Sequence, residues 1–213
     1  MKLTFLHSRL RSVVTTAQAL LVITLLLLNT STAQARDFSA SEERVLGAYL
    51  AFYGRAPDPA GLAYWAGWLE SEGSLDSIIN AFGESDEYTS RFGSLNNTEL
   101  VTNLYDQLFG RAPDDAGLEF YVGKLDVGER TLQQIAVVIL DGVQGDDISI
   151  VENRLAFSMH YVDDAEVNGT EVSAEALADY TSLIDETTSS LNSVYASYEV
   201  DALPEVASFT FDC

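Results

Sequence analysis

Apolar side chains recur at intervals of three and four residues along most of the chain beyond position 40, with polar side chains between them. This spacing gathers the apolar residues on one face of an α-helix, and no stretch of useful length alternates with the period of two that marks a strand. The pattern therefore predicts an all-α chain. The predicted helices cover residues 41–52, 59–70, 74–82, 98–109, 115–126, 131–140, 148–161 and 174–198, with linkers at 90–97, 141–147 and 162–173.

One part of this pattern occurs twice, at an offset of 56 residues. Gly54-Arg55-Ala56-Pro57-Asp58, followed by Ala60-Gly61-Leu62, recurs as Gly110-Arg111-Ala112-Pro113-Asp114, followed by Ala116-Gly117-Leu118. A repeat of fixed period indicates that one supersecondary unit was used twice. We therefore expect duplicated helix-turn-helix units over residues 36–147, a C-terminal helical extension packed on them over 148–200, and a loosely held tail over 201–213.

The repeated segment is typical of the end of one helix and the start of the next. Glycine supplies the left-handed conformation that ends a helix, proline prevents continuation, and aspartate caps the following helix. The arginine has two interpretations: it could grip an anionic ligand, or it could lock the turn by bonding helix-end carbonyls or a nearby acid. The capping residues around it favour the second. The predicted structural turns comprise Gly54, Arg55, Pro57 and Asp58, and Gly110, Arg111, Pro113 and Asp114.

The first 35 residues have the composition of a signal peptide. A basic start is followed by a short apolar run at 20–28 and by Ala33-Gln34-Ala35, a small-residue cleavage site. We expect cleavage after Ala35 and export to the periplasm, the cell surface or the medium, with no membrane span after cleavage. An uncleaved N-terminal anchor is the alternative.

The chain is strongly acidic, and this limits the classes of partner that it is expected to bind. It has 33 Asp and Glu against 11 Lys and Arg, with a formal net charge of −22. Such a surface repels nucleic acid and anionic lipid, so neither is expected as a partner. Cys213 is the single cysteine, so an internal disulfide is impossible; it could cross-link two chains into a dimer or stay free.

The motifs now described resemble a bacterial family of helical domains, DUF4214. They run from Tyr105 to Asp114 in the second copy. In the first copy they are Gly54 to Asp58, Gly61-Leu62, Tyr64-Trp65, Leu69, Phe82, Ser85 and Glu87-Tyr88. The second copy departs from the pattern, with Tyr121 in place of Trp and Asp141-Gly142 where Ser-x-Glu is expected. The segment from Asn153 to Tyr195 resembles the helical extension that often follows such domains.

This resemblance implies an all-helical module of exported bacterial proteins, similar also to the linker polypeptides of phycobilisomes, which are scaffolds. It implies no catalytic residues, and the residues themselves point the same way. Beyond the signal segment, nucleophilic catalysis could draw only on His160 and the terminal Cys213. We predict no catalytic residue, and no enzyme activity is expected.

One acidic segment has spacing close to that of a calcium loop. Asp164, Glu166 and Asn168 would supply positions 1, 3 and 5, and Glu175 position 12. No cofactor is certain from this pattern, and calcium is a possible ligand. The alternative interpretation is a plain helix connection, with Asn168-Gly169 as its turn and Ser173 as an N-cap.

Tyr64 and Trp68 lie four residues apart, off the face formed by the neighbouring apolar residues. They could form a surface platform that stacks on sugar rings, or they could pack on the neighbouring helix. Lys124 stands at the position of Trp68 in the second copy, so a duplicated sugar platform is not expected.

Together these features predict an exported, non-enzymatic interaction or scaffold module at the cell envelope or in extracellular material. Its expected partner is a protein or a cell-surface polymer. The alternatives are a calcium- or glycan-binding periplasmic or secreted protein and, less favoured, an exported hydrolase.

Overall fold

The computed structural model describes residues 36–202, and within that range all regular secondary structure is helical. The prediction of an all-α chain is confirmed. The helices are α1 (Ala40–Tyr53), α2 (Pro59–Glu72), α3 (Asp76–Gly83), α4 (Asp86–Phe92), α5 (Asn97–Phe109), α6 (Asp115–Asp126), α7 (Leu132–Asp141), α8 (Asp146–Asn168), α9 (Ala174–Ser182) and α10 (Thr188–Ala202).

The predicted signal peptide and the predicted tail from Leu203 onward, with Cys213, lie outside the described residues. Among the helices that the structure describes, none combines the length and the apolar character that a membrane crossing requires.

The repeated turns have the same backbone geometry in both copies. Gly54 and Gly110 end α1 and α5 with φ of 66° and 65°, in the left-handed region that glycine tolerates best. Asp58 then caps α2 and Asp114 caps α6, each accepting a hydrogen bond from the backbone N–H three residues on, at 2.8 and 2.7 Å. Local capping chemistry therefore accounts for both helix-turn-helix connections.

Helix α1 is the centre of the fold. Every residue from Val45 to Tyr53 is buried, and the helix packs against α2, α5, α7 and α8. Gly47 faces α7 so closely that a Cβ would lie 2.9 Å from Leu140 Cδ2. A helix that is apolar on all sides is stable only when other helices surround it. Full burial of each large apolar side chain contributes about 1.5–3 kcal/mol, so α1 organises the core.

Helices α4 and α8 differ most clearly from the sequence prediction. Helix α4 covers part of a predicted linker and is capped by Ser85, which accepts a hydrogen bond from Tyr88 N at 3.1 Å. Helix α8 continues to Asn168, because Tyr161 and Val162 belong to the core, so the predicted linker at 162–173 is wrong over its first half.

The predicted single helix at 174–198 is two helices, α9 and α10. The chain breaks between them because Asp185 and Ser190 bond to backbone groups. The Asp185 carboxylate accepts from Thr187 N at 2.8 Å, and Ser190 Oγ accepts from Asp185 N at 3.0 Å. Short polar side chains compete in this way with helical hydrogen bonding.

Candidate functional site

Arg55 holds the first repeated turn against the start of a later helix. Its Nε and Nη2 donate to the Glu87 carboxylate at 3.1 and 2.7 Å, and its Nη1 donates to the Ala56 carbonyl at 2.8 Å. The guanidinium also lies 5.3 Å from the ring centroid of Tyr53. Paired carboxylate bonds of this kind are strong and directional. The donors of Arg55 are thus engaged within the turn and with α4.

Arg111 makes the corresponding contacts in the second copy. Its Nε and Nη2 donate to Asp147, with the Nε bond at 3.0 Å, and its Nη1 donates to the Ala112 carbonyl at 3.0 Å. The hydrogen bond to Asp147 raises the pKa of Arg111. Both arginines are therefore placed to lock a turn.

The acidic partners of Arg55 and Arg111 show which segment of the second copy corresponds to the start of α4. Glu87 lies in the first turn of α4, and Asp147 lies in the first turn of α8. The counterpart of Ser85-Asp86-Glu87 is thus Gly145-Asp146-Asp147, beyond the Asp141-Gly142 segment where the motif pattern places it. Gly145 begins α8 without a side-chain cap, which removes the sequence signal that Ser85 supplies in the first copy.

Arg154 is a structural residue that the sequence analysis did not single out. It is 1% exposed, and burial lowers its pKa to about 10. Its Nε donates to the Ile184 carbonyl at 3.1 Å, and its Nη1 donates to the carbonyls of Asp106 and Gln107 near the end of α5. A cation at helix C-termini is favoured by their partial negative charge. An arginine on the mainly apolar inner face of α8 was the feature of the sequence that could have identified it.

Arg91 has a related position in the first copy. Its Nη1 donates at 3.1 Å to the carbonyl of Tyr53, the last residue of α1. Arg91 and Arg154 both line a polar cleft of about 200 Å³, together with Asn103 and Asp179. The cleft lies between the two repeated units and the extension, and its arginines bond helix-end carbonyls.

One exposed aromatic position, that of Tyr64 and Phe120, is shared by the two copies. Tyr64 on α2 is 59% exposed, and Phe120, its counterpart on α6, is 57% exposed. Trp68 is 39% exposed; its ring lies 6.3 Å from that of Tyr64, and its Nε1 donates to Ser77 Oγ at 2.9 Å. Trp68 thus packs partly on α3, while Tyr64 remains open to contact.

The residues of the possible calcium loop lie mostly within a helix in the described structure. Asp164, Glu166 and Asn168 lie within α8, and Glu175 lies in the first turn of α9. Residues two apart on a helix project to different sides, so these ligands cannot encircle one ion. In the part of the chain that the structure describes, no three His, Cys, Asp or Glu side chains are grouped to hold a metal.

Asp164 instead joins α8 to α10. It accepts a hydrogen bond from the hydroxyl of Tyr198 at 2.7 Å and another from the side-chain amide of Asn168. Burial would raise the pKa of this carboxyl, but hydrogen bonds from Thr170, Asn168 and Tyr198 outweigh it and keep the pKa below its usual value. His160 packs beside this contact, with its ring 4.7 Å from that of Tyr195.

Comparison with known families agrees with the duplicated turns. The sequence profile of the family described as Domain of unknown function (DUF4214) matches residues 30–92 and again residues 79–142. The chain belongs to the DUF4214 family. Among curated proteins and among solved structures, no significant match to the chain is found.

The two DUF4214 matches contain one repeated turn each and overlap at residues 79–92, where α4 lies. The matched region ends before α8, so the helix that supplies Asp147 and Arg154 is outside it. The equivalent aromatic residues Tyr64 and Phe120 both lie inside it.

Proposed function

We propose that this DUF4214 protein is an exported, non-enzymatic interaction or scaffold module that docks partners through the exposed aromatic faces of α2 and α6. The observation that carries the proposal is the equivalent exposure of Tyr64 and Phe120, which are 59% and 57% exposed at matching positions of the two copies. Large aromatic side chains supply much of the energy at protein interfaces. The partner is a protein or a polymer at the cell envelope or in extracellular material.

Charge and the N-terminal segment supply further support. The net charge of −22 opposes binding to nucleic acid and to anionic lipid. The signal-like composition of residues 1–35 supports export. The turn residues Arg55 and Arg111 have carboxylate partners within the chain, which supports placing the interaction surface on the aromatic faces rather than at the turns.

Site-specific cross-linking in the native cell tests this function. A photoreactive phenylalanine analogue replaces Tyr64 or Phe120, one at a time, in the tagged full chain, and the cells are fractionated before and after illumination. We expect discrete cross-linked adducts in the envelope or secreted fraction at both positions. The analogue at Glu43, an exposed position of α1, is the control. Tagged protein that stays in the cytoplasm, or adducts no different from those at Glu43, would contradict the proposal.

A further inference from the structure

The two copies differ in how the space between their second and third helices is filled. In the first copy Trp68 reaches across from α2 to α3, where its indole N–H donates to Ser77 Oγ at 2.9 Å. Its ring packs at 6.5 Å from that of Trp65, which in turn lies edge-on to Phe82 at 5.4 Å. One aromatic side chain of the protein itself therefore covers this position.

In the second copy the same position is open. Lys124 replaces Trp68, and its ammonium forms an ion pair with Glu129 and lies 5.4 Å from the ring centroid of Phe120. A groove of about 140 Å³ remains between α6 and α7, and its apolar lining includes Phe120, Tyr121, Ile135 and Val138. Phe120 and Val138 are exposed at its edge.

The size of this groove suits a single ring. An apolar protein cavity of roughly 150 Å³ takes up a benzene molecule. The groove of about 140 Å³ is therefore large enough for one aromatic side chain and too small for a folded element. The first copy supplies an internal precedent, because there an aromatic side chain covers the equivalent place.

The charge beside the groove indicates which chemical group should lie next to the aromatic ring of the partner. The polar lining of the groove consists of the Lys124–Glu129 ion pair and Arg130. Arg130 is exposed, and within residues 36–202 it forms no ion pair with a carboxylate. By contrast, Arg44, Arg55, Arg91, Arg111 and Lys124 each pair with an acid. In a chain of net charge −22, an exposed guanidinium with no acid partner beside an apolar groove is complementary to an incoming carboxylate.

We propose that the α6–α7 groove is a docking site for a partner protein segment in which an aromatic residue is followed closely by Asp or Glu. The ring enters between Phe120 and Val138, and the carboxylate pairs with Arg130. This inference rests on the proposed interaction function and specifies the partner chemistry at one of its two faces.

A peptide titration with the full chain tests the site. The probe is acetyl-Gly-Ser-Phe-Asp-Glu-Ser-Gly-amide, with 4-fluorophenylalanine as the aromatic residue, followed by fluorine NMR. We expect saturable binding with a Kd on the order of 1 mM or tighter, as befits a small transient contact. The same peptide with Asn and Gln in place of the acids should bind about tenfold more weakly. No saturable shift at several times this concentration would overturn the site.

Variants of the protein locate the binding. Lys124→Trp introduces the side chain that covers the first copy and should abolish the fluorine shift. Phe120→Ser should weaken binding about tenfold, and Arg130→Gln should remove most of the difference between the acidic and amide peptides. Tyr64→Ser is the matched control at the equivalent position of the first copy, and it should leave binding unchanged. Circular dichroism checks that each variant is folded.

Three other outcomes of these experiments would overturn the groove, its occupant or the interaction function. Binding that survives both Lys124→Trp and Phe120→Ser in folded protein would overturn the groove as the site. A full chain that self-associates through this groove, with the peptide competing, would make a second copy the occupant and overturn the assignment to a separate partner. Cross-links at Tyr64 in cells without peptide binding would refute the groove alone, whereas failure of both experiments would refute the interaction function as well.

Discussion

Arg154 is a fully buried cation that forms no ion pair with a carboxylate in the described structure. A buried guanidinium ordinarily has a carboxylate partner, but this one donates to backbone carbonyls near the end of α5 and just after α9. Those carbonyls carry the partial negative charge of helix C-termini, which offsets part of the cost of burying the cation. A single side chain thereby fastens the extension to the second repeated unit.

Replacing Arg154 with methionine should destabilise the protein strongly. The variant keeps most of the side-chain volume but removes the Arg154 donors from the carbonyls of Ile184 and Gln107, so we expect a loss of at least about 2 kcal/mol in the free energy of unfolding. Urea unfolding followed by circular dichroism measures it. Arg91→Met is the control, because Arg91 donates one such bond from a more exposed site and should cost less than about 1 kcal/mol. Equal losses in the two variants would contradict the role assigned to Arg154.

The contact between Tyr198 and Asp164 should depend on pH. The folded pKa of Asp164 lies below its usual value, so its hydrogen bonds contribute stability above about pH 4, and this contribution is lost as the pH falls through the folded pKa. Tyr198→Phe removes one of those bonds and should cost about 1 kcal/mol at pH 7, since Asp164 is only partly buried. The cost should be smaller at pH 2.5 than at pH 7.

Urea unfolding of the wild type and of Tyr198→Phe at both pH values measures this change. Tyr195→Phe is the control, because the Tyr195 ring packs on His160 and its hydroxyl makes no hydrogen bond within residues 36–202. Its effect should be small and the same at both pH values. A Tyr198→Phe cost that does not change with pH would exclude the charged form of Asp164 as the partner.

At the scale of the elements, the repeated turn could be derived almost completely from the sequence. Each residue of the segment acts on its near neighbours: glycine ends one helix, proline stops it and aspartate begins the next. The arginine is the exception, because its acid partner lies 32 residues away in the first copy and 36 in the second. The sequence suggested a nearby acid, but the structure was needed to identify Glu87 and Asp147.

Gly110, the glycine that ends α5, can be compared with Gly128, where an added side chain would meet no neighbouring atom. Gly110 and Gly128 have φ of 65° and 66°, so alanine at either site should cost about 1–2 kcal/mol of backbone strain. At Gly110 the added methyl would also lie 3.1 Å from Arg154 Nη2, whereas at Gly128 it would meet nothing within 4 Å. Gly110→Ala should therefore be the more destabilising in thermal unfolding. The reverse order would show that the Gly110 turn does not depend on Arg154.

At the scale of the whole molecule, the sequence repeat does not produce a symmetric fold. Helix α8 begins as the fourth helix of the second copy but packs on α1 and α2 of the first copy as well as on α5. Helix α2 has buried residues, whereas no residue of α6 is buried. The second copy is therefore the one with an uncovered helix face, and this is where the proposed groove lies.

The net charge of the chain should make its stability depend on salt. With a net charge of −22, repulsion within the folded state is strong at low ionic strength and is screened as the Debye length falls below about 10 Å. Raising NaCl from 10 mM to 500 mM should stabilise the protein by about 1 kcal/mol, or about 2–4 °C in Tm. Differential scanning calorimetry measures the shift.

Calcium chloride at the same ionic strength is the matched comparison for this shift. An equal rise in Tm would mark general screening. A clearly larger rise would point to specific calcium binding, and a fall in Tm with NaCl would contradict the repulsion argument.

The sequence by itself determined the helical class, the duplication and the two repeated turns, because helix periodicity and capping depend on residues within one or two turns of each other. Only the tertiary structure decided where the second copy continues, how Arg154 is used and why one aromatic position is filled while its counterpart is open. Each of these depends on side chains brought together from distant parts of the chain, such as Arg154 and Gln107, which are 47 positions apart. Asp164, Glu166 and Asn168 lie within a helix for the same reason, since the core contacts of Tyr161 and Val162 extend α8 through residues that the local pattern assigned to a linker.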